Sequence, residues 1–340
     1  MGEVRPGHRS RQLDRRSGEG RRRSAARLPY RHAGLYWGGI PESPFMATTP
    51  TFALPAGFLG ITRGDPAARF VVAGFPFDLG TTNRAGARSG PAAIRAASRM
   101  LVDGDNPAVW RDPARLDLAD LGDVAPALGD IAASLARFED QAAAFRHLVA
   151  LGGDHTITLA LLRAQVRRLG RPVGLVHFDA HLDTWPDNFG QSLAHGSVFR
   201  HALDEGLVEP RRMVQVGIRS PVAREIHAWT TGQGVTILDA ESVHLSNPAA
   251  VAERIRAVVA GGPVYLSFDI DALDPSQAPG TGTPEVGGLF TWQAMSILRR
   301  LGGLDWVGMD VVEVAPAYDV AEITALAAAS LAWQYLSLFE

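Results

Sequence analysis

The sequence predicts an α/β fold in which a parallel β-sheet is covered by helices on both faces. Three observations support this prediction. From residue 68 onward, short apolar segments alternate with amphipathic helical patterns, as they do in a series of strand–helix–strand units. The apolar segments lack a polar face, which is typical of parallel strands that are buried between two helix layers. Neither an internal repeat nor a linker interrupts the alternation, so we predict one domain.

The strands and helices are predicted from local composition and periodicity. Strand segments such as RFVVAGFP are rich in Val and Phe, and helical segments repeat apolar residues every three to four positions. Pro91 falls in the first turn of one helix, and Asp130 is the predicted N-cap of another. In chain order the pattern predicts strand 69–76, helices 90–101, 130–150 and 155–170, strands 172–179, 213–218 and 234–238, helix 248–261, strand 263–271, helix 291–302, strand 306–314 and helix 322–339.

The composition excludes several classes of protein. There is no cysteine, which excludes disulfides, thiolate metal sites and cysteine nucleophiles. All 33 basic residues are arginine, so neither Schiff-base catalysis by lysine nor a P-loop lysine is possible. A net charge of −3 argues against nucleic-acid binding, and no apolar run approaches the ~18 residues of a membrane helix. We therefore expect a cytoplasmic protein without a nucleic-acid or membrane partner.

The first 45 residues differ in composition from the rest of the chain. They contain ten arginines against four acidic residues and show little hydrophobic periodicity, whereas residues 46–340 contain 23 arginines against 32 acidic residues. We predict that residues 1–45 are a disordered or non-native extension, for example from a start codon upstream of Met46, and that residues 46–340 form the domain. A nucleic-acid-binding arm and an organelle transit peptide are the alternatives.

One predicted strand ends in three potential metal ligands. The apolar run GLVHF leads into Asp179, His181 and Asp183, which occupy every second position. Side chains at positions i, i+2 and i+4 of a strand project from the same face, so we expect these three to converge. The carboxyl end of the strands is where open parallel sheets bind their ligands. His177 has the same parity but lies deeper in the strand, and we interpret it as a packed or supporting residue.

Two further segments carry potential ligands. The segment SFDIDALDP presents Asp269 and Asp271 at the end of another predicted strand, and LGGDHT presents His155 after the Gly152–Gly153 turn, at the start of a helix. Together, four Asp and two His form a hard, oxygen-rich set, which suits Mn²⁺ better than structural zinc, although other divalent ions remain possible. Six side chains are too many for one catalytic ion with an open position. We therefore predict two ions, which are ~3.5–4 Å apart in dinuclear sites.

These segments resemble those of the ureohydrolases, the family that includes arginase, agmatinase and guanidinobutyrase, over roughly residues 55–338. The resemblance implies a single three-layer α/β/α domain with a central, mostly parallel sheet of about eight strands. It also implies two Mn²⁺ ions, hydrolysis of a guanidino group to urea and an amine, and a trimeric or hexameric homo-oligomer. By the same match, Asp179 and Asp269 bridge both ions, His155 and Asp183 complete one ion, and His181 and Asp271 complete the other.

Two more residues match the family's catalytic segments. AHGSVF makes His195 the expected proton shuttle, and VVEVAPAYD makes Glu313 the residue expected to hold the guanidinium group. The chemistry requires both roles. A carboxylate binds the cationic guanidinium through charge-assisted hydrogen bonds, and the amine leaves only when it is protonated. Segments 75–95 and 278–288 also match the surroundings of the family's site, and we assign no single roles to their Gly and Thr residues.

The predicted substrate is agmatine, which would be cleaved to putrescine and urea as in polyamine biosynthesis. Arginases place an Asn two residues after the third ligand of the DxHxD segment. Here that position is Trp185, the predicted substrate-binding residue, and Asn188 has the wrong spacing. The segment 313–332 resembles bacterial agmatinases most. A guanidinobutyrase or another guanidino-acid ureohydrolase remains the alternative, because Arg219 or Arg224 could reach a substrate carboxylate.

Three functions from other classes are less well supported. A metal-binding pseudoenzyme on the same fold usually loses a ligand, and all six are present here. A zinc deacetylase of the related superfold needs one metal and a smaller ligand set. A dinucleotide-binding Rossmann protein would need G-x-G-x-x-G after the first strand, and FPFDLGTTNRAG does not contain this motif.

Overall fold

The computed structural model describes residues 57–340, so the predictions for residues 1–45 lie outside the described residues. Within the described part of the chain, eight strands form one sheet, and every neighbouring pair in it is parallel. The strands are β1 Phe70–Phe75, β2 Leu118–Asp123, β3 Leu148–Gly152, β4 Val173–Phe178, β5 Val208–Ile218, β6 Thr236–Asp239, β7 Val264–Asp269 and β8 Trp306–Val312. Their order across the sheet is β2-β1-β3-β8-β7-β4-β5-β6.

Nine α-helices accompany these strands in the described part of the chain. They cover the two faces of the sheet, where buried apolar side chains form two separate clusters, as the α/β/α prediction requires. Within residues 57–340 we find no helix with the length and apolar character needed to cross a membrane. The helices are α1 Gly90–Ser98, α2 Ile131–Ala142, α3 Ile157–Leu169, α4 Val198–Asp204, α5 Arg224–Gly232, α6 Ala240–His244, α7 Pro248–Val259, α8 Thr291–Arg299 and α9 Ile323–Leu336.

The predicted helix 130–150 is wrong in its second half. Asp130 caps α2 as expected, because its side chain accepts a hydrogen bond from the backbone N–H of Ala133, but α2 ends at Ala142. After a turn, Leu148–Gly152 forms β3, which lies between β1 and β8 and is buried along its whole length. A fully buried strand has no polar face, so a short apolar run can be mistaken for the end of a buried helix. The edge strand β2 was not predicted either.

The middle of the sheet determines where the site lies. Strands β3, β8, β7 and β4 are consecutive neighbours, and their carboxyl ends therefore meet at one edge. His155 follows β3, Glu313 follows β8, Asp269 ends β7, and Asp179 follows β4. Residues that are far apart in the sequence are thus brought together at the edge where parallel sheets bind their ligands.

Candidate active site

The side chain of His155 faces three of the predicted carboxylate ligands. Its Nδ1 atom lies 3.2 Å from Asp179 Oδ2, 3.0 Å from Asp183 Oδ2 and 3.2 Å from Asp269 Oδ2. The imidazole is completely buried. Oxygens from the loop after β4 and from the end of β7 therefore surround one ring nitrogen, which is the arrangement of four ligands around a common point.

The side chain of His181 forms a second group beside the first. Its Nδ1 atom lies 3.2 Å from Asp179 Oδ1 and 3.1 Å from Asp271 Oδ2. Asp179 thus presents one carboxylate oxygen to each histidine. The structure brings all six predicted ligands together in two adjoining groups, and the His181 side chain is 17% exposed where that of His155 is not.

The ligands converge for a different reason from the predicted strand alternation. Strand β4 ends at Phe178, so Asp179 and the residues after it lie in a loop, and Asp183 adopts a left-handed backbone with φ of 51°. At the end of β7, a 3₁₀ turn over Ile270–Ala272 contains Asp271. The backbone N–H of Asp271 donates a hydrogen bond of 2.8 Å to Asp269 Oδ1. Turns at the strand ends therefore aim these carboxylates, and the prediction of a regular strand geometry is wrong.

The electrostatics of the cluster fit bound cations. Burial and the neighbouring carboxylates Asp271 and Asp179 raise the pKa of Asp269 well above its usual range. The Nδ1 atom of His155 is buried and has no hydrogen-bond partner among the described residues, although three carboxylate oxygens lie beside it. Buried carboxylates of like charge require a positive partner, and a divalent ion bound by oxygen and imidazole supplies one. The residues present therefore fit a metal centre.

His177 supports the cluster from behind. Its Nδ1 accepts a hydrogen bond of 3.0 Å from Gln215 Nε2, so its Nε2 carries the proton and donates to Asp179 Oδ2 over 2.8 Å. With both ring nitrogens engaged, His177 orients Asp179 and keeps no lone pair for an ion. This geometry agrees with its interpretation as a supporting residue. The side chains of His155, His177 and Asp179 lie close enough together to hold an ion, but both nitrogens of His177 are already hydrogen-bonded.

Glu313 and His195 form a pair beside the cluster. The Oε1 atom of Glu313 accepts hydrogen bonds from the backbone N–H of His155 over 2.9 Å and from His195 Nδ1 over 3.0 Å. Burial opposes the charged imidazolium, but the Glu313 carboxylate outweighs this effect and raises the pKa of His195 to about 9. The Nε2 atom of His195 lies 2.7 Å from the hydroxyl of Thr82, a contact that the sequence did not predict.

The second carboxylate oxygen of Glu313 is free to bind a ligand. Oε2 is buried and has no hydrogen-bond partner among the described residues. The backbone of Glu313 has a positive φ of 65°, which is costly for a residue with a side chain and persists only where the surrounding structure holds it. The backbone N–H of Glu313 donates to the carbonyl of Gly153. Gly153 has no room for a side chain, because a Cβ atom on it would lie 1.9 Å from the carbonyl oxygen of Phe77. Close packing of three chain segments thus holds Glu313 in place.

A cavity of about 370 Å³ opens above the cluster. His181, Asp183 and His195 line its inner part, and Trp185 and Asn188 line its outer part. The prediction that Trp185 lies at the site agrees with this position. Asn188, whose spacing differs from that of the arginase Asn, lines the same cavity, and its Oδ1 is buried with no partner among the described residues. A tight turn brings Asn188 to the cavity, since Asn188 and Gln191 exchange backbone hydrogen bonds.

Arg219 does not point into this cavity. All three guanidinium nitrogens donate to backbone carbonyls, including those of Gly217, Asp271 and Glu285. Arg219 therefore fastens the 271–286 segment to the end of β5. Arg224 is exposed at the start of α5, and we find no arginine among the described residues that line the cavity.

A buried polar network behind His155 was not predicted. His155 Nε2 lies 2.8 Å from Ser267 Oγ, which in turn donates over 2.7 Å to Asp310 Oδ1. The hydroxyls of Thr158 and Tyr265 both donate to Asp310 Oδ2 over 2.9 Å. Ser267 and Asp310 lie inside apolar strand segments, and the sequence alone offered no reason to connect them with a ligand.

Comparisons with known proteins agree with this geometry. A family model described as the arginase family matches residues 68–337. The chain belongs to the arginase family. The agmatinase of Cronobacter sakazakii is 43% identical over 289 residues, which cover 83% of this chain and 90% of that protein. The ureohydrolase assignment made from the motifs is thus confirmed, and this chain is an enzyme of that kind.

Solved structures support the same conclusion for the ureohydrolase fold. A crystal structure described as a hypothetical agmatinase from Burkholderia thailandensis has a TM-score of 0.78 and 43% identity, covering 84% of this chain and 91% of that one. Proclavaminate amidino hydrolase from Streptomyces clavuligerus also has a TM-score of 0.78, with 36% identity over 86% of this chain and all of that one. The predicted three-layer fold with a parallel sheet of eight strands is confirmed.

Proposed function

We propose that this ureohydrolase uses two Mn²⁺ ions to hydrolyse agmatine to putrescine and urea. The observation that carries the proposal is the free Oε2 atom of Glu313, a buried acceptor beside a cluster of four carboxylates and two histidines. His155 and Asp183 would complete the site of one ion, and His181 and Asp271 that of the other. Asp179 and Asp269 would contact both ions.

The proposed chemistry divides between the ions and the chain's own side chains. Bound divalent ions supply a nucleophile at neutral pH, because they lower the pKa of water from 15.7 to about 7. Glu313 binds the guanidinium through Oε2 and holds it in a fixed orientation, since Oε1 is already occupied by His155 and His195. His195 donates the proton that the leaving amine requires from Nε2, the ring nitrogen that is not bonded to Glu313, and a protonated Nε2 gives up the hydrogen bond that it accepts from the backbone N–H of Thr82.

The far end of the cavity supports agmatine over arginine and guanidinobutyrate. A substrate carboxylate would find no arginine among the described lining residues, because Arg219 is bonded to backbone carbonyls. The unpartnered Oδ1 of Asn188 is an acceptor for a substrate N–H group, and the ring of Trp185 offers an apolar wall or a cation–π contact. These groups suit a terminal ammonium, which agmatine carries without a carboxylate.

One assay tests the proposal. Urea release should be measured for agmatine, guanidinobutyrate and arginine with Mn²⁺ added and with Mn²⁺ removed by chelation. We expect Mn²⁺-dependent urea release with the highest kcat/KM for agmatine. Guanidinobutyrate as the preferred substrate would keep the metal chemistry and change the named reaction. No urea from any guanidino compound would overturn the proposal.

The family resemblance also leads us to propose a homo-oligomer, a trimer or a hexamer, that works in the cytoplasm on a small-molecule substrate. Sedimentation velocity at several protein concentrations measures the assembly, and a monomer at assay concentrations would contradict it.

A further inference from the structure

The proton positions in the network behind His155 follow from the number of donors available. A serine hydroxyl has one hydrogen, and a carboxylate can only accept. Ser267 donates its hydrogen to Asp310 Oδ1, so its oxygen must accept from His155, and His155 Nε2 must carry the proton. A neutral His155 then has its lone pair on Nδ1, the atom that faces Asp179, Asp183 and Asp269.

The orientation of the network is secured on every side. His155, Ser267 and Asp310 are all completely buried, so water does not compete for these hydrogen bonds. Asp310 is held by hydroxyl donors from two different elements, Thr158 in α3 and Tyr265 in β7. Ser267 lies on β7 and Asp310 on β8, and the two residues are paired in the register of these neighbouring strands.

The other histidine of the cluster lacks an equivalent support. His181 is partly exposed, and the nearest carboxylate oxygen to its Nε2 is Glu285 Oε1, at 3.9 Å, which is too long for a hydrogen bond. We propose that Ser267 and Asp310 are positioning residues that fix the ring and the tautomer of His155, and thereby set the affinity of one of the two ions. This inference rests on the proposed metal centre. Hydrogen-bond partners of metal-bound histidines commonly have this effect.

The test measures Mn²⁺ binding to the metal-free enzyme, without using activity. Calorimetric titration gives the affinity and stoichiometry, and electron paramagnetic resonance distinguishes a coupled pair of ions from a single ion. We expect Ser267→Ala to weaken one ion about 10–100-fold, with the other ion unchanged. Asp310→Asn should act in the same direction.

Two control variants separate positioning from packing. Ser267→Thr keeps the hydroxyl and should restore binding to within a few-fold of wild type. Tyr265→Phe keeps the ring and removes one of the two hydroxyl donors to Asp310, and should weaken the same ion less than Ser267→Ala does, because Thr158 still donates to Asp310. Thermal unfolding of each metal-free variant establishes that it is folded. If Asp310→Asn does not fold, Ser267→Ala alone tests whether the network positions His155.

The outcomes distinguish the inference from the proposed function. A wild-type enzyme that binds no Mn²⁺ would overturn both. If the wild type binds two ions and Ser267→Ala binds both equally well, the positioning role is overturned and the function stands. The role is also overturned if Ser267→Thr binds as weakly as Ser267→Ala, because that result would show that the hydroxyl is not what holds the ion.

Discussion

The floor and the mouth of the cavity are built in different ways. The floor consists of the six predicted ligands with Glu313, of which His181, Asp183 and Asp269 line the cavity itself. It lies at the carboxyl ends of four central strands, where nearly every side chain is buried. The mouth consists of loop residues such as Trp185, Asn188 and Phe189, and Phe189 is 95% exposed with a positive φ of 56°. We propose that the buried floor supplies the chemistry and that the loops select the substrate.

The largest expected effect is the loss of a shared floor ligand. Asp179→Asn should lower turnover by well over 100-fold. Substitution of residues that only hydrogen-bond to metal ligands already lowers activity or metal affinity by about 10–100-fold. A neutral amide cannot serve two dications as a carboxylate does. Activity and metal content by elemental analysis measure the effect. The matched control is Asp187→Asn, which removes a carboxylate from the exposed mouth, where Asp187 accepts from the backbone N–H of Gly190.

We expect Asp187→Asn to keep its metal and most of its turnover. Near-normal turnover of Asp179→Asn with two ions still bound would show that Asp179 is not a shared metal ligand. Equal losses in both variants would erase the distinction between floor and mouth.

The next largest effect concerns proton transfer. His195→Ala should lower kcat by about 10²–10⁴-fold with unchanged metal content, because His195 contacts Glu313 and Thr82 but is not in either ligand group. Steady-state kinetics and elemental analysis measure this together. Loss of metal from His195→Ala would mean that His195 is a ligand and belongs to the cluster.

The raised pKa of His195 gives the same residue a pH signature. The protonated form is the proton donor, and a pKa of about 9 keeps His195 protonated at neutral pH and deprotonates it only above that value. The kcat/KM of the wild type should therefore fall as the pH rises through about 9. A falling limb that persists unchanged in His195→Asn would assign that limb to another group.

A smaller effect is expected at the mouth. Arginine and agmatine share the guanidinium, so Glu313 cannot distinguish them, and the difference lies in the extra carboxylate of arginine. A carboxylate that loses its water without gaining a partner costs roughly 1–3 kcal/mol, or about 10–100-fold in kcat/KM. Parallel measurements at one pH give the ratio. Arginine turned over as well as agmatine would show that the mouth does not select by charge.

The smallest effect is expected from the extension outside both regions. Deletion of residues 1–45 should leave Mn²⁺-dependent hydrolysis nearly unchanged, because the segment has too little apolar pattern to add a core layer. The kcat of the truncated and full-length enzymes measures this. A truncated enzyme that is folded but has lost most of its kcat would assign the extension to the site.

The floor was predictable from sequence because its residues are adjacent to apolar strands. Asp179, His181 and Asp183 directly follow one such strand. The carboxyl ends of parallel strands lie at one edge of the sheet, and this does not depend on the conformation of the loops. The mouth was less predictable. The spacing of Asn188 from Asp183 shows only that it is not the arginase-type Asn, and a turn at residues 188–191 accompanies its position in the cavity. The shape of a loop depends on what it packs against, which local spacing does not describe.

The sequence by itself determined the fold class, which depends on short-range periodicity, and its motifs determined the family and with it the class of reaction. Only the tertiary structure decided which distant groups meet. Thr82 contacts His195 across 113 positions, Ser267 contacts His155 across 112, and Glu313 accepts from His155 across 158. It also decided that residues 148–152 form a central strand and do not continue a helix. The physical reason is the same in each case: burial between non-local neighbours outweighs local propensity, and a linear pattern carries no record of those neighbours.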